Sequence, residues 1–146
     1  MAEPVEVAIN AALIARAQAF ATAQGLAISL PNIAFPAPTQ NATAKWLRAT
    51  FMPAPTATLP VGSGSDRYYG ILQIDVFYGS GTEGTGEYAP GRIASAVIDY
   101  FKRNTEVTKD GFKARVYRRP SRGPMIVADG WAQIPITINY ECFATA

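Results

Sequence analysis

Histidine is absent from the chain and cysteine occurs once, as Cys142. Ser-His-Asp and Cys-His pairs therefore lack their base, and zinc sites built from clustered His and Cys lack their ligands. Carboxylate or lysine chemistry is what the composition leaves. Gly79-Ser80-Gly81-Thr82-Glu83-Gly84 is a literal G-x-G-x-x-G lying after a strand-like run and before a helix-like one. In a dinucleotide-binding turn the third glycine opens the helix. Here several residues intervene before Pro90, the preceding run alternates, and the ribose-binding acid would have to be Asp99, inside the helix. The glycines read as a flexible loop. Gly62-Ser63-Gly64-Ser65 lacks the Gly-Lys-Ser/Thr ending of a phosphate loop. Asp66, Asp75, Glu83 and Glu87 could offer oxygens to Mg²⁺, but their spacing matches no ligand loop, so they read as solvated surface carboxylates. No catalytic, cofactor-binding or metal-binding residue is nominated, and no enzyme is expected. Cys142 sits in an alternating β pattern and reads as a buried, reduced thiol; no disulfide can form within the chain, which suits a reducing compartment.

The charges are more informative than the acids alone. Nine of the 13 basic residues fall between Arg92 and Arg122, against three acidic ones, so that stretch carries +6 and the remainder −4. Arg115, Arg118, Arg119 and Arg122, with Tyr117 among them, form the densest cluster: alternation puts Arg115 and Tyr117 on one face of a strand and Arg118 on the other, and Arg119 to Arg122 run into a Pro-Ser-Arg-Gly-Pro turn, which makes 118–122 a basic hairpin tip. Such a tip could grip phosphate without sequence preference. It fits better against an acidic patch on a protein partner, such as the Glu83/Glu87 loop of an adjacent copy. No apolar run is long enough to span a membrane, and Glu3, Glu6, Asn10 and Arg16 break the pattern of a signal peptide. A soluble protein without membrane partners is expected.

These residues need a scaffold, and 146 residues suffice for one domain, 1–146, with a continuous core. Val5, Ile9, Leu13, Ala17 and Phe20 make one apolar stripe of a helix over about Glu3 to Gln24, stopped by Gly25. Ile28 to Phe35 is a short extended candidate broken by Pro31 and Pro36. In Lys45 to Phe51, Leu47, Ala49 and Phe51 share one face, and Trp46, Arg48 and Thr50 the other. The outward Trp46 either packs under a loop or anchors an interface. Pro53 to Asp66 reads as a long irregular loop or arm. Tyr69 to Tyr78 is a strand with Leu72, Ile74, Val76 and Tyr78 inward and Gln73 and Asp75 outward. A glycine-rich loop, Gly79 to Gly91, precedes a helix from Pro90 to Arg103 carrying Ile93, Val97, Ile98 and Phe101 at helical spacing. The flexible segments are narrowed to 53–66 and 79–88. Extended runs follow at Phe112 to Arg118, Pro124 to Ala128 and Trp131 to Phe143, the last two joined by an Asp129-Gly130 hairpin turn. Ile134, Ile136, Ile138, Tyr140 and Cys142 share one face of the last strand, and Pro135 must sit at an edge-facing position or bulge. The reading is an α+β single domain: an antiparallel or mixed β-sheet with two α-helices packed on one face.

Lys45-Trp-Leu-Arg-Ala-Thr-Phe51, Gly70-Ile-Leu-Gln-Ile-Asp-Val-Phe-Tyr78, Ile93-Ala-Ser-Ala-Val-Ile-Asp-Tyr-Phe101 and Trp131-Ala-Gln-Ile-Pro-Ile-Thr-Ile-Asn-Tyr140, together with the Gly/Glu loop, resemble the tail terminator proteins of long-tailed bacteriophages. The likeness runs over roughly residues 5 to 143. It implies a structural virion subunit that forms a hexameric ring on the last ring of the tail tube protein, stops polymerisation, and offers its other face to head-completion or connector proteins. DNA would be met only in passage through the lumen. The place implied is the head-proximal end of the tail, assembled in the host cytoplasm. No family residues are carried over. The candidate assembly contacts, Trp46, Arg48, Asp66, Arg67, Glu83, Glu87, Arg115, Arg118, Arg119 and Arg122, come from the chain's own pattern. The alternatives are a nucleic-acid-binding module using the basic hairpin 118–122, or another head-tail connector or tail subunit.

Overall fold

The structure is a computed structural model, and it describes residues 4–39, 44–59, 65–79 and 86–144. Helix α1 spans Val5–Gln24. Its stripe of Val5, Ala8, Ile9, Leu13, Ala17, Phe20 and Ala21 is buried, as the four-residue steps require. Gly25 ends it in a left-handed conformation at φ 67°, which lets Leu26 N–H reach back to the Ala21 carbonyl at 2.8 Å.

Among the described residues nine strands make one sheet: β1 Ala27–Ser29, β2 Lys45–Pro53, β3 Ala57–Thr58, β4 Asp66–Gly79, β5 Glu106–Lys109, β6 Phe112–Val116, β7 Ser121–Arg122, β8 Ile126–Ala128 and β9 Trp131–Ala144. The order is β1-β2-β4-β9-β6-β5, with β3 on β4, and β7 and β8 on β9. Only β1 against β2 is parallel; every other pair is antiparallel. Helix α2, Tyr88–Tyr100, falls between β4 and β5.

The register explains the core. Leu47, Val76 and Ile134 lie in one row across β2, β4 and β9, then Ala49, Ile74 and Ile136, then Phe51, Leu72 and Ile138. Because side chains alternate faces, these rows share a face. Six of them (Leu47, Leu72, Ile74, Ile134, Ile136, Ile138) are wholly buried, under the α1 stripe and under Ala94, Val97 and Ile98 of α2. Each such side chain stabilises the fold by roughly 1.5 to 3 kcal/mol. The expected α+β architecture, with both helices on one face of a mixed sheet, is present.

Several local expectations need correction. Extended structure in Ile28 to Phe35 is confined to β1, because β1 can pair with β2 only before Pro31 turns the chain away. Pro53 to Asp66 is not one long irregular loop: β2 runs to Pro53, β3 resumes pairing with Asp66 and Arg67, and Ala54 N–H bridges the gap to the Tyr69 carbonyl. β2 with β3 is thus one kinked strand along β4, which extends beyond the Tyr69 to Tyr78 expected. It passes so close to Gly70 that a Cβ there would lie 2.6 Å from the Met52 carbonyl oxygen. The loop expected to reach Gly91 yields to helix at Tyr88, so Pro90 does sit in the first turn, and the helix ends at Tyr100 instead of Arg103. β5 was not expected at all. It pairs with β6 across Asp110-Gly111, whose φ values of 52° and 82° are those of a tight primed turn.

The extended run Phe112 to Arg118 stops at Val116. Beyond it the chain does not form a hairpin tip at 118–122: it stays on β9, bulging at Tyr117 to Pro120, pairing Ser121 and Arg122 with Thr137 and Ile136, bulging again at Gly123, and pairing β8 up to the Asp129-Gly130 turn. The second bulge accounts for Pro135. Gly123 N–H donates to the Pro135 carbonyl, so the missing Pro135 N–H points toward the bulge, where no ladder donor is needed.

Candidate assembly interface

The second face of the sheet carries the polar and aromatic residues that alternate with the core. At one end, Trp46 stacks on Phe77 with centroids 4.0 Å apart and planes at 4°, meets Trp131 edge-on, and lies 5.0 Å from Phe35. Trp46 therefore packs beneath the Phe35 segment while keeping part of its surface outside.

Next along β2, Arg48 faces Asp75 across the ladder. Arg48 donates Nε and Nη2 to Asp75 Oδ2 at 3.2 and 3.0 Å, and Gln73 Nε2 donates to Oδ1 at 2.9 Å. Asp75 has no exposure. It is no solvated carboxylate; it is a buried anion whose cation stands on the neighbouring strand. Short range explains the error, since the acid's parity is visible in sequence and its partner is not.

The far end holds a second carboxylate that the sequence did not single out. Glu141 of β9 is buried between two arginines: Arg67 Nη2 lies 3.2 Å from Oε1 and Arg115 Nη2 2.6 Å from Oε2. Arg67 also covers the rings of Tyr69 and Tyr117, and Arg118 lies over Tyr117 at 5.2 Å. Arg115 and Tyr117 do share a face, as alternation requires. Alternation along β9 gave Glu141 an outward position; the register with Arg67 and Arg115 gave it its role.

Arg122 is elsewhere. Its pairing with Ile136 puts it on the helix side of the sheet, where Nη2 donates to Glu87 Oε2 at 2.9 Å. The acid expected on an adjacent copy is thus met within the same chain. The anticipated basic cluster divides: Arg115 and Arg122 have carboxylate partners on opposite faces. Arg118 and Arg119 have no hydrogen bond or ion pair with any described residue, and both are exposed. Asp66 opens β4 opposite Thr58 and Ala144, partly buried. Glu83, like most of the glycine motif, lies outside the described residues.

Chemically, this surface offers guanidinium planes, tyrosine rings and a few apolar side chains. Burial pushes the Tyr68 and Tyr140 hydroxyls and the Cys142 thiol above their ordinary ranges, with a backbone hydrogen bond at Lys113 pulling the thiol back in part. Among the described residues no group of three or more His, Cys, Asp or Glu could hold a metal ion, and no helix is long and apolar enough to cross a membrane.

Over residues 8–140 the chain matches the family described as phage tail terminator protein. The chain belongs to the phage tail terminator family. The match runs from Ala8 in α1 to Tyr140 in β9, through α2 and the β2-β4-β9 ladder up to the Gly70–Tyr140 pair. A solved structure named only by a sequence identifier is similar at 26% identity, with a TM-score of 0.74 over 92% of each chain. No curated protein matches. As a tail terminator family member, the chain is a structural component of the phage tail.

Proposed function

We propose that this terminator works as a closed homo-oligomeric ring, a hexamer, seated on the last ring of a completed tail tube. There it ends tube polymerisation and presents its opposite side to the head-completion or connector proteins, with DNA passing only through the lumen. Its place is the head-proximal end of the virion tail, reached by assembly in the host cytoplasm. The observation that carries the reading is the family match over both helices and the central ladder. A head-to-tail contact repeated around an axis closes a ring from one pair of surfaces.

Arg118 and Arg119 are the assembly contacts of choice, because Arg48, Arg67, Arg115 and Arg122 already serve carboxylates of their own chain. A carboxylate-bearing partner, with the 79–88 segment containing Glu83 as one source, would complete them. The alternative of a nucleic-acid module is weakened by the same geometry, since the basic hairpin it needs is an edge strand with its arginines divided between two faces.

The test is electron microscopy of tail tubes mixed with the parent protein and with an Arg118→Ala/Arg119→Ala variant. Parent protein should cap tubes with a ring; the variant should fold normally and leave tubes uncapped. Tubes carrying no ring would refute the reading. Tight duplex binding with a steep salt slope at physiological ionic strength would restore the DNA alternative. Hydrogen exchange on the same mixtures should show 53–66 and 79–88 gaining protection on capping; equal protection in both states would place the contacts elsewhere.

A further inference from the structure

Among the described residues, two strands at the sheet's margins, β8 and β1, carry no charged residue. On one side β8 pairs only with β9. The stretch Gly123 to Ala128 contains no charged residue, and Ile126 and Val127 are 48% and 58% exposed. On the other side β1 pairs only with β2. It lies in a stretch with no charged residue between Arg16 and Lys45, and Ile33 beyond it is 61% exposed. Proteins normally blunt such edges with charges. The edge strands β5, with Glu106 and Lys109, and β7, with Arg122, do so, whereas β8 and β1 do not. Depletion of charge together with exposed aliphatic residues is the composition of an interface core.

The hydrogen-bonding groups at the β8 margin can be assigned. Asp129 and Gly130 have φ of 53° and 81°, a two-residue primed turn, so Ala128 and Trp131 close the hairpin as a bonded pair. The next pair, Val127 with Ala132, is then unbonded, and the Val127 N–H and C=O point away from β9 to the free edge.

We propose that β8 of one copy pairs with β1 of the next, so that the sheet continues from subunit to subunit around the ring. Strand directions settle the sense. β8 runs against β9, β9 against β4, β4 against β2, and β2 with β1. Rotation about an axis along the strands preserves direction, so β8 meets the neighbour's β1 antiparallel. Two different edges make the contact heterologous, as a ring requires. This rests on the ring reading above and adds which surfaces join.

Val127→Pro tests it. Proline removes one donor from the free edge and none from the β9 ladder, a position where strands tolerate it; Val127→Thr keeps the donor and serves as control. Both variants should melt as cooperatively as the parent. Mixed with tail tubes, Val127→Thr should cap them like the parent, and Val127→Pro should lower the capped fraction at least tenfold. Independently of any variant, amides at 27–29 and 126–128 of the parent should both gain protection from hydrogen exchange on ring formation. Rings that form with exchange unchanged at either edge, or a folded Val127→Pro that caps like the parent, overturn the edge proposal and leave the ring reading standing. A parent protein that never forms rings removes both.

Discussion

Asp75 is expected to need Arg48 more than Arg48 needs Asp75. The carboxylate has no exposed surface, while the Arg48 side chain is 44% exposed, so removing either partner leaves a different orphan. In Arg48→Ala the anion keeps only the Gln73 amide at 2.9 Å and loses two charge-assisted hydrogen bonds and a guanidinium 5.0 Å from the Phe77 ring. Stranding a buried charge costs about 3 to 5 kcal/mol. The lower end applies, because the vacated side chain opens a path for water, and roughly 3 kcal/mol in a chain of this size lowers Tm by roughly 10 °C. In Asp75→Asn the shape survives, Arg48 turns to solvent or keeps one neutral acceptor, and Gln73 can flip its amide to accept from the new one. That should cost about 1 kcal/mol. Arg48→Met/Asp75→Leu, which removes both charges, should fall within about 1 kcal/mol of the parent or exceed it. Urea unfolding of the four proteins at pH 7, with m-values compared, measures all three differences. If Asp75→Asn proves more costly than Arg48→Ala, the burial argument is wrong and the arginine, not the acid, is the group the fold depends on.

Two further outcomes follow from single atoms. Gly70→Ala should destabilise by about 2 to 3 kcal/mol in urea, because the new Cβ would meet the Met52 oxygen, Pro53 Cα and Ala54 nitrogen at 2.6, 2.8 and 2.9 Å, all backbone atoms that cannot rotate aside; a change below about 0.5 kcal/mol would mean that β2 and β4 are not so closely apposed. Cys142 is 1% exposed and burial holds its thiol in the unreactive protonated form, so a thiol reagent at pH 8 should label native protein on the order of a hundredfold more slowly than protein in urea; equal rates would put Cys142 outside the core.

What was legible in the sequence was whatever repeats at short range. The α1 stripe, the alternation of Ile134, Ile136 and Ile138, the Asp129-Gly130 turn and the place of Pro135 each depend on a few neighbouring residues. The same dipeptide signal at Asp110-Gly111 could have disclosed β5, had four residues of strand on its near side been counted as enough. Other features depended on register between distant strands. Asp75 looked solvated because outward parity normally means water, until β2 laid Arg48 opposite it. Glu141 looked ordinary until β4 and β6 each brought an arginine. The basic run from Arg115 to Arg122 illustrates the limit most directly: composition gathers these charges within eight residues, yet the register against β9 sets Arg115 opposite Glu141 and Arg122 opposite Ile136, on opposite faces, where each meets its own acid. A charge cluster in sequence is therefore an upper bound on the cluster in space. What survives after the ladder has been formed, here Arg118 and Arg119, is exposed and without an acid among the described residues, and it is the part we propose for a partner.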